Sequence, residues 1–150
     1  MSLWQQALII LYGCIHLACF VKGYFEITRK KNAFGTTAYL EWLGIFVWGD
    51  IFILGPFWIL ICLLTLLLND WYLFLLFLSL FWTVRSFGEV IYWFNEQFAA
   101  KNRNLPSQLK MYKVFQNDAV WFVYQLFWQC VLIVSVIASL YLAKLWLETL

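Results

Sequence analysis

Four continuous apolar runs dominate the chain, over residues 3–24, 39–68, 71–99 and 117–147. Each exceeds the roughly 20 residues an α-helix needs to cross a hydrocarbon core about 30 Å thick. In lipid the backbone must satisfy its own polar groups, which leaves helices or a closed barrel. Barrel strands run only about 10 residues and alternate in polarity, and these runs do neither. The charged residues are few, 12% of the chain against 65% hydrophobic and 22% aromatic. A soluble domain carries about 25% charged residues. Too little polar surface remains to cover a water-soluble globule, which excludes a soluble enzyme, a disordered tail and a nucleic-acid binder. The expected fold is an all-α membrane protein, an antiparallel four-helix transmembrane bundle forming one four-span domain over residues 1–150.

The links between the runs set the topology. Asn69-Asp70 leaves room only for a tight turn, so the second and third spans are antiparallel neighbours. The other two links, residues 22–38 and 100–116, are longer. The latter contains Leu105-Pro106-Ser107, a helix stop followed by a polar restart. Basic residues gather in these two links: Lys22, Arg29, Lys30 and Lys31 in or beside one, Lys101, Arg103, Lys110 and Lys113 in the other. The N-terminal segment and the 69–70 turn have none. With four crossings the two basic links share a side, and the positive-inside rule makes that side the cytoplasm. Both termini then face the non-cytoplasmic side. Lys144 departs from the pattern and is expected to snorkel. No basic residue precedes the first run, as a secretory signal requires, so that run is expected to stay as a span.

Trp4, Tyr24, Tyr39, Trp42, Trp71, Tyr72, Tyr112, Tyr141 and Trp146 stand near span ends, as in the aromatic belt at headgroup level. Cys14, Cys19, Cys62 and Cys130 all lie in apolar stretches and form no C-x-x-C pair. They are expected to be small buried thiols, with no disulfide framework and no metal site.

Polar side chains inside the runs are the unusual feature, because a charge at the bilayer centre costs about 2.5–3.5 kcal/mol on insertion scales. Arg85, Glu89, Tyr92 and Glu96 repeat at i, i+4, i+7 and i+11, one face of a helix. Asp118, Phe122, Gln125 and Gln129 repeat that spacing in the fourth run, while Gln5, Tyr12 and His16 fit i, i+7 and i+11 in the first. At a rise of about 1.5 Å per residue, His16, Asp50, Arg85, Glu89, Gln125 and Gln129 fall about 9–21 Å from the cytoplasmic end of their spans. These residues, with Tyr92, are the candidate substrate or proton site, expected to face the interior. Asp50 and Glu89 would compete for Arg85, and His16 would relay a proton. Gly49-Asp50 and Gly55-Pro56 interrupt the second run, and Pro56 predicts a kink. Glu26, Glu41, Glu96 and Asp118 are expected to pair with basic loop residues, with Asn117-Asp118 capping the fourth span.

No nucleophile motif, zinc-protease signature or phosphate-binding glycine loop occurs. Length and four-span layout resemble the membrane-associated eicosanoid and glutathione metabolism family, whose second span carries Arg and Asn residues that bind glutathione. Here that run holds Glu41, Asp50 and Pro56 but no Arg or Asn. The resemblance therefore extends to architecture alone.

The expected function is that of a small-solute or proton-coupled transporter, or a ligand-binding membrane protein. A non-catalytic subunit or assembly factor of a larger membrane complex is the alternative. An enzyme acting on a lipophilic substrate is a third reading, with no catalytic motif behind it. The expected partners are the bilayer and either further copies of the chain or other membrane subunits. No cofactor, metal or nucleic acid is expected.

Overall fold

The computed structural model describes residues 1–99 and 104–149. Two of the expected cytoplasmic cations, Lys101 and Arg103, lie outside the described residues. Within them the fold is all-helical: α1 (Leu3–Thr28), α2 (Trp48–Leu67), α3 (Trp71–Phe98) and α4 (Ala119–Leu147), with short 3-10 turns at Ala38–Leu43, Pro106–Gln108 and Lys110–Lys113. All four α-helices are long and apolar enough to cross a membrane. Packing divides the chain into two compact units, Met1–Phe77 and Leu78–Leu150, so that α3 begins in the first and continues in the second.

In the first unit α1 and α2 lie antiparallel. Glycines set their approach. A Cβ on Gly23 would fall far inside contact distance of Cγ2 of Ile51, and one on Gly55 would fall 2.8 Å from Cβ of Phe20. Any side chain at either place would push the helices apart. At one end, the N-terminal ammonium and the Gln6 amide both donate to Oδ1 of Asn69, at 3.3 and 3.2 Å. The N-terminus is thereby tied to the turn between α2 and α3. Asn69 adopts a left-handed backbone (φ 52°) in that turn, and Asp70 Oδ1 accepts the Leu73 N–H at 3.0 Å, which caps α3.

At the other end the second apolar run starts differently from the expectation. The span does not begin at residue 39. Residues 38–43 form a separate 3-10 helix that buries Leu40 and Leu43 and leaves Tyr39 and Trp42 exposed. Gly44 reverses the chain at φ 73°, a left-handed conformation that side chains resist. Thr37 N–H then pairs with the Phe46 carbonyl at 2.9 Å, and its hydroxyl donates to the Ile45 carbonyl at 2.9 Å. Leu40, Leu43, Ile45, Trp48 and Ile51 form a buried core against Tyr12, Ile15, Cys19, Ile27 and Leu54. The run is apolar throughout because the short helix and α2 both feed this core. Hydropathy alone therefore joins them. Helix α2 continues through Pro56 to Leu67.

In the second unit α3 and α4 are antiparallel and pinned at two levels. Ser139 Oγ lies 3.1 Å from Ser79 Oγ and 3.3 Å from Thr83 Oγ1. Further along, Gln97 Nε2 donates to Gln125 Oε1 at 2.6 Å. Between these levels the rings of Trp82 and Trp128 stack at 6.5 Å, and nearer the glutamine pair Trp93 stacks on Tyr124 at 4.6 Å. Such interhelical hydrogen bonds and ring contacts hold helices together where no hydrophobic effect separates protein from lipid. Asp118 does occupy the N-cap position of α4, but its side chain makes no bond to the helix.

The cysteines correct the expectation in part. Cys62 is buried, but Cys14 and Cys130 are exposed, and all four are free thiols. On a helix that faces lipid a small apolar side chain has no need of burial.

Candidate functional site

Asp50 sits in the first turn of α2, because that helix begins at Trp48. Its Oδ2 accepts the N–H of Phe46 at 2.8 Å and of Val47 at 3.2 Å. The carboxylate thus satisfies backbone donors at a helix amino end, where the dipole favours negative charge. With the helix starting at Trp48, Asp50 is about 3 Å along the span rather than about 16 Å.

His16 is fully buried on α1. Its ring lies 4.6 Å from that of Tyr12 and 5.8 Å from that of Trp58. Neither ring nitrogen has a hydrogen-bond partner among the described residues. Phe74 closes the group, 5.7 Å from Tyr12 and 6.5 Å from Trp58. His16 is therefore enclosed by aromatic carbon.

Arg85 and Glu89 do meet, as the i, i+4 spacing implied, with Nη2 and Oε1 3.7 Å apart. The pair stands midway along α3. Arg85 is roughly 20 Å from either end of the 28-residue helix at about 1.5 Å per residue. It is not sealed: the side chains are 25% and 16% exposed. Beside it the helix surface is open. Val84 is 72% exposed, Phe87 and Ile91 are exposed, and a Cβ on Gly88 would meet nothing within 4 Å.

The remaining candidates lie further along the second unit. Tyr92 accepts a hydrogen bond from the Asn104 side-chain amide. The Asn104 backbone N–H donates to Glu96 Oε2 at 2.9 Å, and the Trp121 indole donates to the Asn104 carbonyl at 3.1 Å. Glu96 is buried in this knot. Glu26 does pair with a basic neighbour, Lys30, at 2.6 Å. Gln125 is bound to Gln97, which also donates to the Trp93 carbonyl at 3.1 Å, and Gln129 is half-buried on α4. His16 and Asp50 belong to the first unit; Arg85, Glu89, Tyr92, Gln125 and Gln129 belong to the second.

Several polar residues that organise the second unit escaped the sequence reading: Ser79, Thr83, Gln97 and Asn104. A usable signal was present. Ser79, Thr83 and Ser86 repeat at i, i+4 and i+7, and Ser135 and Ser139 repeat at i, i+4 in the following span.

The arrangement defines a helical membrane protein with four candidate spans and an ion pair at the centre of the third. Comparison with protein-family models, curated proteins and solved structures finds no match.

Proposed function

We propose that the chain is an integral-membrane assembly subunit whose α3 receives another helix within the bilayer. One observation carries this reading: Arg85 and Glu89 lie at the middle of a membrane-length helix and remain partly exposed. A charge at the bilayer centre costs about 2.5–3.5 kcal/mol on insertion scales, and an i, i+4 partner offsets that only in part. At roughly 20 Å from both helix ends the arginine cannot easily reach a headgroup. A covering helix removes lipid from the pair and supplies further hydrogen bonds. Several other polar side chains support the same reading, since they are spent on structure: Asp50 on the α2 amino end, Gln125 on Gln97, Ser139 on Ser79.

The transport reading requires Asp50 to compete with Glu89 for Arg85, and the two backbone N–H groups that Asp50 accepts weigh against that competition. A double variant, Arg85→Leu with Glu89→Leu, separates the two readings. Both charges go at once, so insertion is not impaired. The assembly reading expects the particle extracted in native-lipid discs to fall in mass while staying folded. An unchanged mass with loss of proton flux in proteoliposomes would overturn it in favour of transport.

A further inference from the structure

We propose that Lys22 and Tyr39 bind the phosphate of one anionic phospholipid at the boundary of the hydrocarbon core. No partner chain is needed for this. The Lys22 ammonium donates to the Tyr39 hydroxyl oxygen at 2.9 Å. It also lies 5.0 and 5.2 Å from the ring centres of Tyr39 and Trp48, which meet edge to face. An ammonium carries three N–H donors and a phenol one O–H. Tyr39 spends its oxygen on Lys22, and among the described residues its own O–H meets no acceptor. Two donors thus stand side by side, one of them charged, and two oxygens of a single phosphate can take both. The rings fix the ammonium beforehand, which lowers the entropy lost on binding. Glu26, one turn along α1, is held by Lys30 at 2.6 Å, and Asp50 by backbone N–H groups.

Depth makes the phosphate a lipid's. From Leu3, where α1 begins, to Lys22 the helix rises about 28 Å at about 1.5 Å per residue. A hydrocarbon core is about 30 Å thick. Helix α2 begins at Trp48, and its 20 residues span about 30 Å, so its amino end reaches the same boundary. Lys22, Tyr39 and Trp48 therefore meet where the phosphates of one leaflet lie. Tyr39 and Trp42 are exposed there, as rings at headgroup level are. Towards the middle of the span, Ala18, Ile15 and Leu11 follow Lys22 at i−4, i−7 and i−11, an apolar line on one helix face. Ala18 and Leu11 are exposed and give an acyl chain a place directly beneath the headgroup. Charge then selects the lipid. Lys22, Arg29, Lys30 and Lys31 outnumber Glu26, Glu41 and Asp50 at this end of the unit. The rings of Tyr39 and Trp48, which could otherwise take a choline cation, already hold Lys22.

Native mass spectrometry of the purified chain in a non-ionic detergent, titrated with dioleoyl phosphatidylglycerol or dioleoyl phosphatidylcholine, counts the bound lipid. Phosphatidylglycerol is expected to bind about tenfold more tightly, and inorganic phosphate at the same concentration should not displace it. Lys22→Ala should weaken phosphatidylglycerol about tenfold, through loss of a charged donor. Tyr39→Phe keeps the ring and removes the O–H, and should weaken it about fivefold. Lys31→Asn removes an equal charge at a left-handed position that asparagine tolerates, and should leave binding unchanged. Equal binding of the two lipids would overturn the proposal. So would a loss in Lys31→Asn as large as in Lys22→Ala, which would mean diffuse attraction to a basic surface. Displacement of the lipid by inorganic phosphate would overturn it too, leaving a site for a free anion. Should Lys22→Ala fail to fold, Tyr39→Phe decides alone, and wild-type affinity for phosphatidylglycerol in that variant would refute the site.

Discussion

An ionised carboxylate gains most where backbone N–H groups already point at it, and the amino end of a helix supplies several. Asp50 takes two, from Phe46 and Val47. Asp50→Ala should therefore leave two donors without their acceptor and cost about 1–2 kcal/mol. Asp50→Asn keeps an acceptor oxygen and should cost less. Hydrogen exchange at residues 46 and 47, with thermal unfolding in detergent, measures both effects. A wild-type melting temperature for Asp50→Ala would refute the capping role. In the sequence Asp50 stood in the middle of an apolar run, which invited a deep position. The clue to its real place was Gly44, since a glycine six residues upstream marks where a run of uniform hydropathy can turn. Arg85 and Glu89 were legible for the opposite reason: their spacing on one helix determines the contact, whatever the rest of the molecule does.

Helices α1 and α2 are held at a distance set by two glycines rather than by an apolar stripe. The clash a side chain would make differs by position, and this orders the expected effects. At Gly23 an added methyl overlaps Cγ2 of Ile51, a branch on a stiff β-branched side chain. At Gly55 it meets Cβ of Phe20 at 2.8 Å, which cannot move without the α1 backbone. At Gly13 the nearest atoms belong to Cys62, at 3.4 and 3.5 Å, ordinary contact distances. Gly23→Ala and Gly55→Ala should each destabilise by about 1–3 kcal/mol through overpacking. Gly13→Ala should be neutral or slightly stabilising, since alanine is the better helix former. Unfolding of the three variants in one detergent gives the ranking, and an equal cost at all three positions would contradict the packing described. Element type and number could be read from the runs, because length and apolarity suffice for a membrane helix. The pairing of α1 with α2 through glycine was not legible, since a glycine in a sequence looks the same whether it faces a neighbour or open space, as Gly88 does.

At the scale of the whole chain the remaining question is which end of each span lies in the cytoplasm. Charge decides it. Arg29, Lys30 and Lys31 follow α1, and Lys110 and Lys113 precede α4, whereas the turn at 69–70 carries no cation. The N-terminal ammonium bonded to Asn69 puts the N-terminus and that turn at one end of the first unit. Lys22 strengthens the opposite end: its ammonium donates to the Tyr39 hydroxyl at 2.9 Å and lies 5.0 and 5.2 Å from the ring centres of Tyr39 and Trp48. Aromatic rings and a cation held together suit the headgroup layer. Lysine and arginine are retained on the cytoplasmic side, so segment 29–47 should lie there and the 69–70 turn outside. In a chain with its four native cysteines replaced by serine, Asn32→Cys and Leu68→Cys mark the two ends. An impermeant maleimide added to intact cells should label Leu68→Cys at once and Asn32→Cys only after permeabilisation. The reverse pattern would invert the topology. Equal labelling at both positions would mean that the cations do not fix orientation at all, and that copies insert both ways.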